Sequence, residues 1–245
     1  MATQELARPE PRELPEGGWR WGGPDERPNP HISYTQSIRP FHRTIAGLVE
    51  RYAPANARVL EVGCGIGRLL GEVQRRSPQL RLSGADIDAE CLRIAKENVK
   101  LEQTYLVGPE TDLADEIRGE FDVLICSHVL EHTSSPSDFL KRHLEVLKPG
   151  GIAALAVPNP VRPDVIFGNL FCKHYVNRGH VQTWDRSHWI NFLETILGLE
   201  VVTYAADYVP LGRLAKIPGV KALERGLTRV FPWFSFSNIA VVRVP

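Results

Sequence analysis

Residues 59–70, VLEVGCGIGRLL, constrain the fold of this chain more than any other stretch. Val59, Leu60 and Val62 make the apolar run that a strand covered on both faces requires. Gly63, Gly65 and Gly67 follow at every second position. Glycine suits a backbone that must bend sharply and let a ligand come close, because no Cβ stands in the way. Leu69, Leu70 and Val73 then recur at helical spacing. A strand, a glycine turn and a helix N-terminus make a nucleotide-binding corner.

The residues around the glycines narrow the choice of nucleotide. A dinucleotide fingerprint, G-x-G-x-x-G, would place its third glycine at position 68, where the chain has Arg68. Glu61 stands two residues before the first glycine, and a carboxylate there repels a pyrophosphate and attracts a cation. S-adenosylmethionine carries an ammonium, a sulfonium and a carboxylate, and no phosphate. The pattern E-x-G-x-G-x-G resembles motif I of the class I S-adenosylmethionine-dependent methyltransferases. The plain alternative is a tight turn between a core strand and a helix, with no ligand. Packing alone rarely sets three glycines and an acid in this register.

The chain has 245 residues, enough for one large domain or one domain with additions. Lys+Arg and Asp+Glu both number 29, so the net charge leaves no electrostatic footprint for a nucleic acid. Cys64, Cys91, Cys126 and Cys172 form no C-x-x-C pair and read as reduced thiols of a cytoplasmic protein. No apolar run approaches a membrane span, and the first residues lack a basic-then-apolar leader.

Residues 1–30 are rich in Pro, Gly, Glu and Arg and read as a flexible tail, with Trp19 and Trp21 as its aromatic exceptions. Residues 31–245 read as a single domain. Phe41, Ile45, Leu48, Val49 and Tyr52 predict an amphipathic helix over 39–53, ended by Pro54. Strands are predicted at 58–62, 80–86, 104–107, 121–126 and 152–157, with helices between them at 66–76, 89–100 and 136–147. This alternation demands a parallel sheet with helices on both faces, whose ligands sit at the strands' carboxyl ends. Asp86 ends the second strand, 23 residues beyond Gly63, where an acid accepts hydrogen bonds from ribose hydroxyls. Asp88 fits the N-cap of the next helix. The stretch 158–186 has little periodicity and starts at a strand's carboxyl end, so it can cover the site. A helix at 188–197, a strand at 199–204, a second insertion at 207–235 and a last strand at 236–244 complete the reading.

The order of motifs over residues 40–157 is similar to that of the ubiquinone- and menaquinone-type small-molecule methyltransferases. VLEVGCGIGRLL resembles motif I, GADIDAECLRIAKEN the segment with the ribose acid, and FDVLICSHVLEH with LKPGG the fourth strand and the step into the fifth. GHVQTWDRSHWINFLETILGLEVV (179–202) resembles the ending of many such enzymes, with Leu199 where Phe is frequent. The resemblance implies a Rossmann-like, doubly wound α/β fold of seven strands, the last antiparallel, and is silent on the tail and on 207–235; by their place in the chain, 158–186 and 207–235 read as substrate-covering insertions. It implies that Glu61, Gly63, Cys64 and Gly65 meet the methionine part of S-adenosylmethionine, with Gly67 also among the cofactor-binding residues. Asp86 and Ile87 would hold ribose and adenine, and Ser127 and His128 would line the cofactor near its sulfonium. Asp112 is the candidate for the adenine amino group, although Pro109 interrupts the local match.

His128, Glu131 and His132 also spell H-x-x-E-H, the inverted zincin pattern. A zincin needs a long helix there, and Thr133-Ser134-Ser135-Pro136 cuts the segment short, so no metal is expected. Methyl transfer to a hydroxyl needs a base near neutrality, and the candidates are His128, His132, His180 and His188. The expected activity is O-methylation of a small molecule. A non-catalytic partner protein that keeps the fold and an NAD-dependent oxidoreductase are the alternatives. Val220, Leu223, Leu227 and Val230 share one face of 219–231, and Lys221, Arg225 and Arg229 another, followed by Phe231, Trp233, Phe234 and Phe236. This reads as a lid helix, or as contact with a membrane surface or an anionic, lipid-linked acceptor.

Overall fold

The computed structural model describes residues 37–107, 113–171, 179–211 and 219–245. The tail at 1–30 with Trp19 and Trp21, the adenine candidate Asp112, Cys172 and the side chains of Lys221 and Arg225 lie outside the described residues.

Seven strands form one sheet: β1 (Arg58–Val62), β2 (Arg81–Asp86), β3 (Gln103–Leu106), β4 (Phe121–Ser127), β5 (Leu147–Pro158), β6 (Glu200–Ala205) and β7 (Ser237–Arg243). Their order is β3-β2-β1-β4-β5-β7-β6. The first five run parallel, and β7 is antiparallel to both β5 and β6. The order reverses between β1 and β4, which opens a crevice at their carboxyl ends. The seven strands and the antiparallel last one are those the sequence resemblance implies.

Strand side chains alternate between two cores. Leu60, Leu124, Leu155 and Val242 face one, with Leu140 and Trp189 packed on them. Val59, Val123, Ala154 and Val241 face the other, under Ile45, Val49, Leu70 and Val73. Ile45 and Val49 are fully buried, each burial contributing about 2 kcal/mol. These two side chains fix the helix Pro40–Tyr52 across the sheet, with Phe41 beside them at its first turn.

Several boundaries differ from the sequence reading. The helix after the glycine turn starts at Arg68 rather than 66, because Gly67 is left-handed (φ 79°) and its N–H closes a turn onto Cys64 O at 2.9 Å. The helix Pro136–Leu144 stops three residues before the predicted end, and β5 begins at Leu147, absorbing the Pro-Gly-Gly step with Gly150 at φ 76°. The predicted helix at 188–197 is a short α-helix, Arg186–Ile190, running into a π turn, Asn191–Ile196. The stretch 158–186 contains a helix, Pro163–Phe171, whose one buried side chain is Val165; a helix so exposed has no apolar stripe for periodicity to detect.

Candidate active site at the carboxyl edge of the sheet

The glycine turn is anchored by the neighbouring strand. Gly63 and Cys64 both donate backbone N–H groups to Ala85 O, at 2.8 and 3.0 Å. Gly63 has φ 75° and Gly65 φ 50°, in the left-handed region that disfavours side chains. A Cβ on Gly63 would also meet Val129 Cγ2 at 2.3 Å. Backbone and packing therefore demand glycine at this position independently.

Glu61 is 4% exposed, and its Oε2 has no hydrogen-bond partner among the described residues. Burial, and then the charge of Asp86, push its carboxyl well above the usual carboxylate range, with a hydrogen bond from the Leu70 backbone opposing. Asp86 accepts from Gly65 N at 2.7 Å and from Asp88 N at 2.9 Å, which places its carboxylate against the turn. Asp88 caps the helix Ala89–Asn98, accepting from Glu90 N and Cys91 N. Ile87 presents an exposed apolar side chain beside Asp86. Ser127 Oγ is buried without a hydrogen-bond partner among the described residues. Cys64 is buried, and burial raises its thiol, so it sits in the turn as a neutral spacer.

The second half of the site follows β4. His128 has φ 57°, and the helical turn begins only at Leu130, as the 3₁₀ segment Leu130–His132. His128 and His132 therefore do not share a helix face, and a zincin arrangement is absent here. His128 Nε2 lies 3.0 Å from Ser237 Oγ, and Ser237 Oγ donates to Asp207 Oδ2 at 3.0 Å. On its other side, His128 Nδ1 lies 3.4 Å from Glu131 Oε1. His132 Nδ1 meets Gly179 O at 2.9 Å, and the His132 and His180 rings meet edge to face at 4.9 Å. Burial is the main cause that lowers the His180 imidazole to about 4. The N–H groups of Val181 and Gln182 both donate to Glu131 O, so the segment at 181–182 is stitched to the 3₁₀ turn. His188 stands apart: its side chain is 75% exposed and hydrogen-bonded to Asp185.

Sequence reasoning missed Asp207 and Ser237. Burial raises the Asp207 carboxyl, while bonds from Tyr208 N, Ser237 N and Ser237 Oγ pull it back. A usable signal was present, because Asp207 follows the carboxyl end of β6 and Ser237 opens an antiparallel strand, so topology returns both to the glycine edge. The aromatic wall was also missed: Phe236 stacks on Tyr208 and Phe41, at 5.4 and 6.0 Å, with the Arg162 guanidinium over its ring at 4.2 Å.

Residues 33–204 match the family described as a methyltransferase domain. The chain belongs to that family. The match takes in the glycine turn, Asp86 and the 127–132 corner, and the seven-stranded order is that of the class I S-adenosylmethionine-dependent branch. A ubiquinone biosynthesis O-methyltransferase of Xanthomonas axonopodis pv. citri is 35% identical over 112 residues, 44% of this chain and 46% of the relative. The same-named protein of Xanthomonas oryzae pv. oryzae is 34% identical over 108 residues, 43% and 44% of the two chains. The matched part therefore spans less than half the length of these curated relatives. In fold, this methyltransferase domain resembles a SAM-dependent methyltransferase from Aquifex aeolicus (TM-score 0.54, 12% identity, 85% of this chain and all of the other). It also resembles the plantazolicin methyltransferase BpumL in complex with SAH (TM-score 0.55, 13% identity, 88% of each chain).

Proposed function

We propose that this chain transfers a methyl group from S-adenosylmethionine to a hydroxyl of a small molecule. The observation that carries the reading is the convergence at one edge of Gly63, Gly65 and Gly67, all left-handed, with Glu61, whose buried carboxyl oxygen has no hydrogen-bond partner among the described residues. A buried carboxyl oxygen without a hydrogen-bond donor suits an ammonium, and a turn without Cβ atoms suits close backbone contact. When bound, S-adenosylmethionine supplies a methyl group on a sulfonium, open to in-line displacement.

The chain's own residues then have separable tasks. Glu61 binds the ammonium, and the turn Gly63–Gly67 packs against the amino-acid part. Asp86 accepts from the ribose hydroxyls while retaining its bonds to the turn, because each carboxylate oxygen has a second lone pair. Ile87 covers the adenine face, and Ser127 lines the wall. His128 takes the proton of the acceptor hydroxyl at Nδ1, since its Nε2 is engaged by Ser237 Oγ, and the Glu131 carboxylate 3.4 Å away favours the resulting imidazolium. The aromatic wall and the segment 179–182 exclude water from the acceptor. The O-methyltransferase names of the Xanthomonas relatives support oxygen as the accepting atom.

An acceptor with an apolar or lipid-linked tail is favoured by a further observation. Phe167, Leu170 and Phe171 are exposed on the helix that follows β5, and Leu223, Val230, Phe231 and Trp233 on the helix and turn that precede β7. Asn159 Nδ2 donates to Trp233 O at 2.8 Å, tying that turn to the end of β5. No helix among the described residues is long and apolar enough to cross a membrane, so any such contact is peripheral. Sedimentation with anionic vesicles at low salt tests it, and no binding removes the membrane version.

Calorimetric titration with S-adenosylhomocysteine tests the central reading, with NAD⁺ in a parallel cell. Binding of the first alone, lost in Asp86→Ala, is the expected result. Binding of NAD⁺ alone would sink it, and binding of neither by folded protein would favour a non-catalytic partner. Turnover of a hydroxylated acceptor, with mass analysis of the product, tests the accepting atom.

A further inference from the structure

The carboxylate of Glu131 poses a problem that methyl transfer does not solve. Its side chain is 1% exposed, and neither oxygen has a hydrogen-bond partner among the described residues. A buried carboxylate without donors is costly unless a cation compensates it. Among the described residues, His128 Nδ1 at 3.4 Å and His132 Nε2 at 4.0 Å are its nearest basic atoms, and both lie beyond hydrogen-bonding range.

Glu131, His132 and His180 each bring one donor atom into a cluster in which all three lie within 4.8 Å of one another. Donors held at about 2.1 Å by one tetrahedral zinc ion stand about 3.4 Å apart. The 4.0 Å between His132 Nε2 and Glu131 Oε1 is about 0.6 Å outside that spacing, so the side chains close on the ion as it binds. His132 is also oriented as metal-bound imidazoles are. Its Nδ1 meets the Gly179 carbonyl at 2.9 Å, and an N–H donated there makes Nε2 the basic nitrogen of the ring.

We propose that Glu131, His132 and His180 form a site for a divalent transition-metal ion, of which zinc is the natural occupant and cobalt a spectroscopic stand-in. Two donors come from the 3₁₀ turn after β4 and the third from the covering segment, so the ion clasps the cover to the edge of the sheet. Two imidazoles and a carboxylate suit zinc, copper, nickel or cobalt rather than calcium or magnesium. Three protein donors leave a fourth position to water. This departs from the expectation of no metal and from the zincin pattern alike, because His128 is not a ligand and His180 is. The site does not depend on what the chain methylates.

The test is titration of the untagged, chelator-treated full chain with Co²⁺, followed by the visible absorption of four- or five-coordinate cobalt. One equivalent per chain, displaced by Zn²⁺, is expected. Glu131→Gln and His180→Ala should each weaken uptake at least roughly tenfold, the loss that even an outer-sphere partner causes. The exposed His188→Ala should leave it unchanged. Absence of a cobalt band, or equal uptake by wild type and His180→Ala, would overturn the proposal and leave Glu131 as the counter-ion of His128. Circular dichroism checks each variant's fold, and if Glu131→Gln does not fold, His180→Ala on the cover decides. S-adenosylhomocysteine titrated into the same preparations separates this site from the cofactor reading: binding without cobalt uptake sinks the metal alone, and uptake without binding sinks only the methyltransferase reading.

Discussion

His128 Nε2 sits 3.0 Å from Ser237 Oγ, so a residue after β4 is locked by the first residue of the antiparallel β7. Asp207 Oδ2 accepts a hydrogen bond from the Ser237 hydroxyl at 3.0 Å, which leaves Ser237 Oγ to accept from His128. The tautomer with its proton on Nε2 follows, and Nδ1 is left as the basic nitrogen. Ser237→Ala removes this bias. In ring-labelled protein, nitrogen NMR of His128 should show the Nε2–H tautomer in wild type and a mixture in the variant. Turnover should fall by about tenfold or more while the KM for S-adenosylmethionine stays unchanged, because the alteration reaches the base and not the cofactor. An unchanged tautomer would dismiss Ser237 as a positioning residue.

Gly63→Ala confronts two independent obstacles. The new Cβ lies 2.3 Å from Val129 Cγ2, and φ is 75°. The left-handed conformation costs a non-glycine residue about 1–2 kcal/mol and overpacking about 1–3 kcal/mol. Chemical denaturation should show a loss of roughly 2–5 kcal/mol together with lost binding of S-adenosylhomocysteine. Adding Val129→Ala removes the clash and not the backbone strain, so the double variant should recover part of the stability. Complete recovery would mean that the left-handed backbone is not costly there.

How much of this was legible in the sequence depends on how local the determinant was. Gly63, Glu61 and Asp86 declare themselves through spacing along one βαβ unit, and Leu60 and Val62 through the apolar run of a doubly covered strand. Asp88 as a cap was equally local. The helix Pro163–Phe171 was not legible, because it buries little beyond Val165 and so lacks an apolar period. Asp207 and Ser237 lie 79 and 109 residues from His128 in the chain, and only the antiparallel return of β7 unites them. His188 shows what residue type alone leaves out: it reads as a candidate base, and in the structure its partner Asp185 is the N-cap of its own helix and holds it on the exterior.

Glu61 should reveal itself through protons. Burial and the Asp86 charge favour its protonated form in the free protein. A bound ammonium favours the carboxylate, so its pKa falls on binding and a proton is released. Titrations with S-adenosylhomocysteine in buffers of different ionisation enthalpy should therefore give apparent enthalpies that scale with the buffer. Glu61→Gln should bind more weakly and lose that dependence. A wild-type enthalpy independent of buffer would mean that Glu61 is already ionised before the ligand arrives.

His42 ties stability to pH. Its ring is buried against Phe41, at 4.3 Å, and its Nδ1 accepts from Arg39 N at 3.1 Å, a bond that needs the neutral imidazole. Burial first, then the neighbouring His128 and Arg39, lower its pKa from 6.5 to about 4. The unfolded chain thus binds the proton at a higher pH than the folded one does. The full contribution is present above pH 6.5, falls as pH drops through the interval down to about 4, and is constant below it. The loss amounts to roughly 3 kcal/mol when the shift is taken at face value. Glu61 and Asp207 shift in the opposite sense, since their raised carboxyl values add stability at low pH that is lost as pH rises. The whole-protein profile therefore mixes both signs, and His42 must be isolated by difference. Denaturation of wild type and His42→Gln between pH 4 and 7 supplies it: the wild-type advantage should be greatest near pH 7 and shrink toward pH 4. Parallel profiles would mean that the His42 ring titrates alike in both states, with the Arg39 bond too weak to resist protonation.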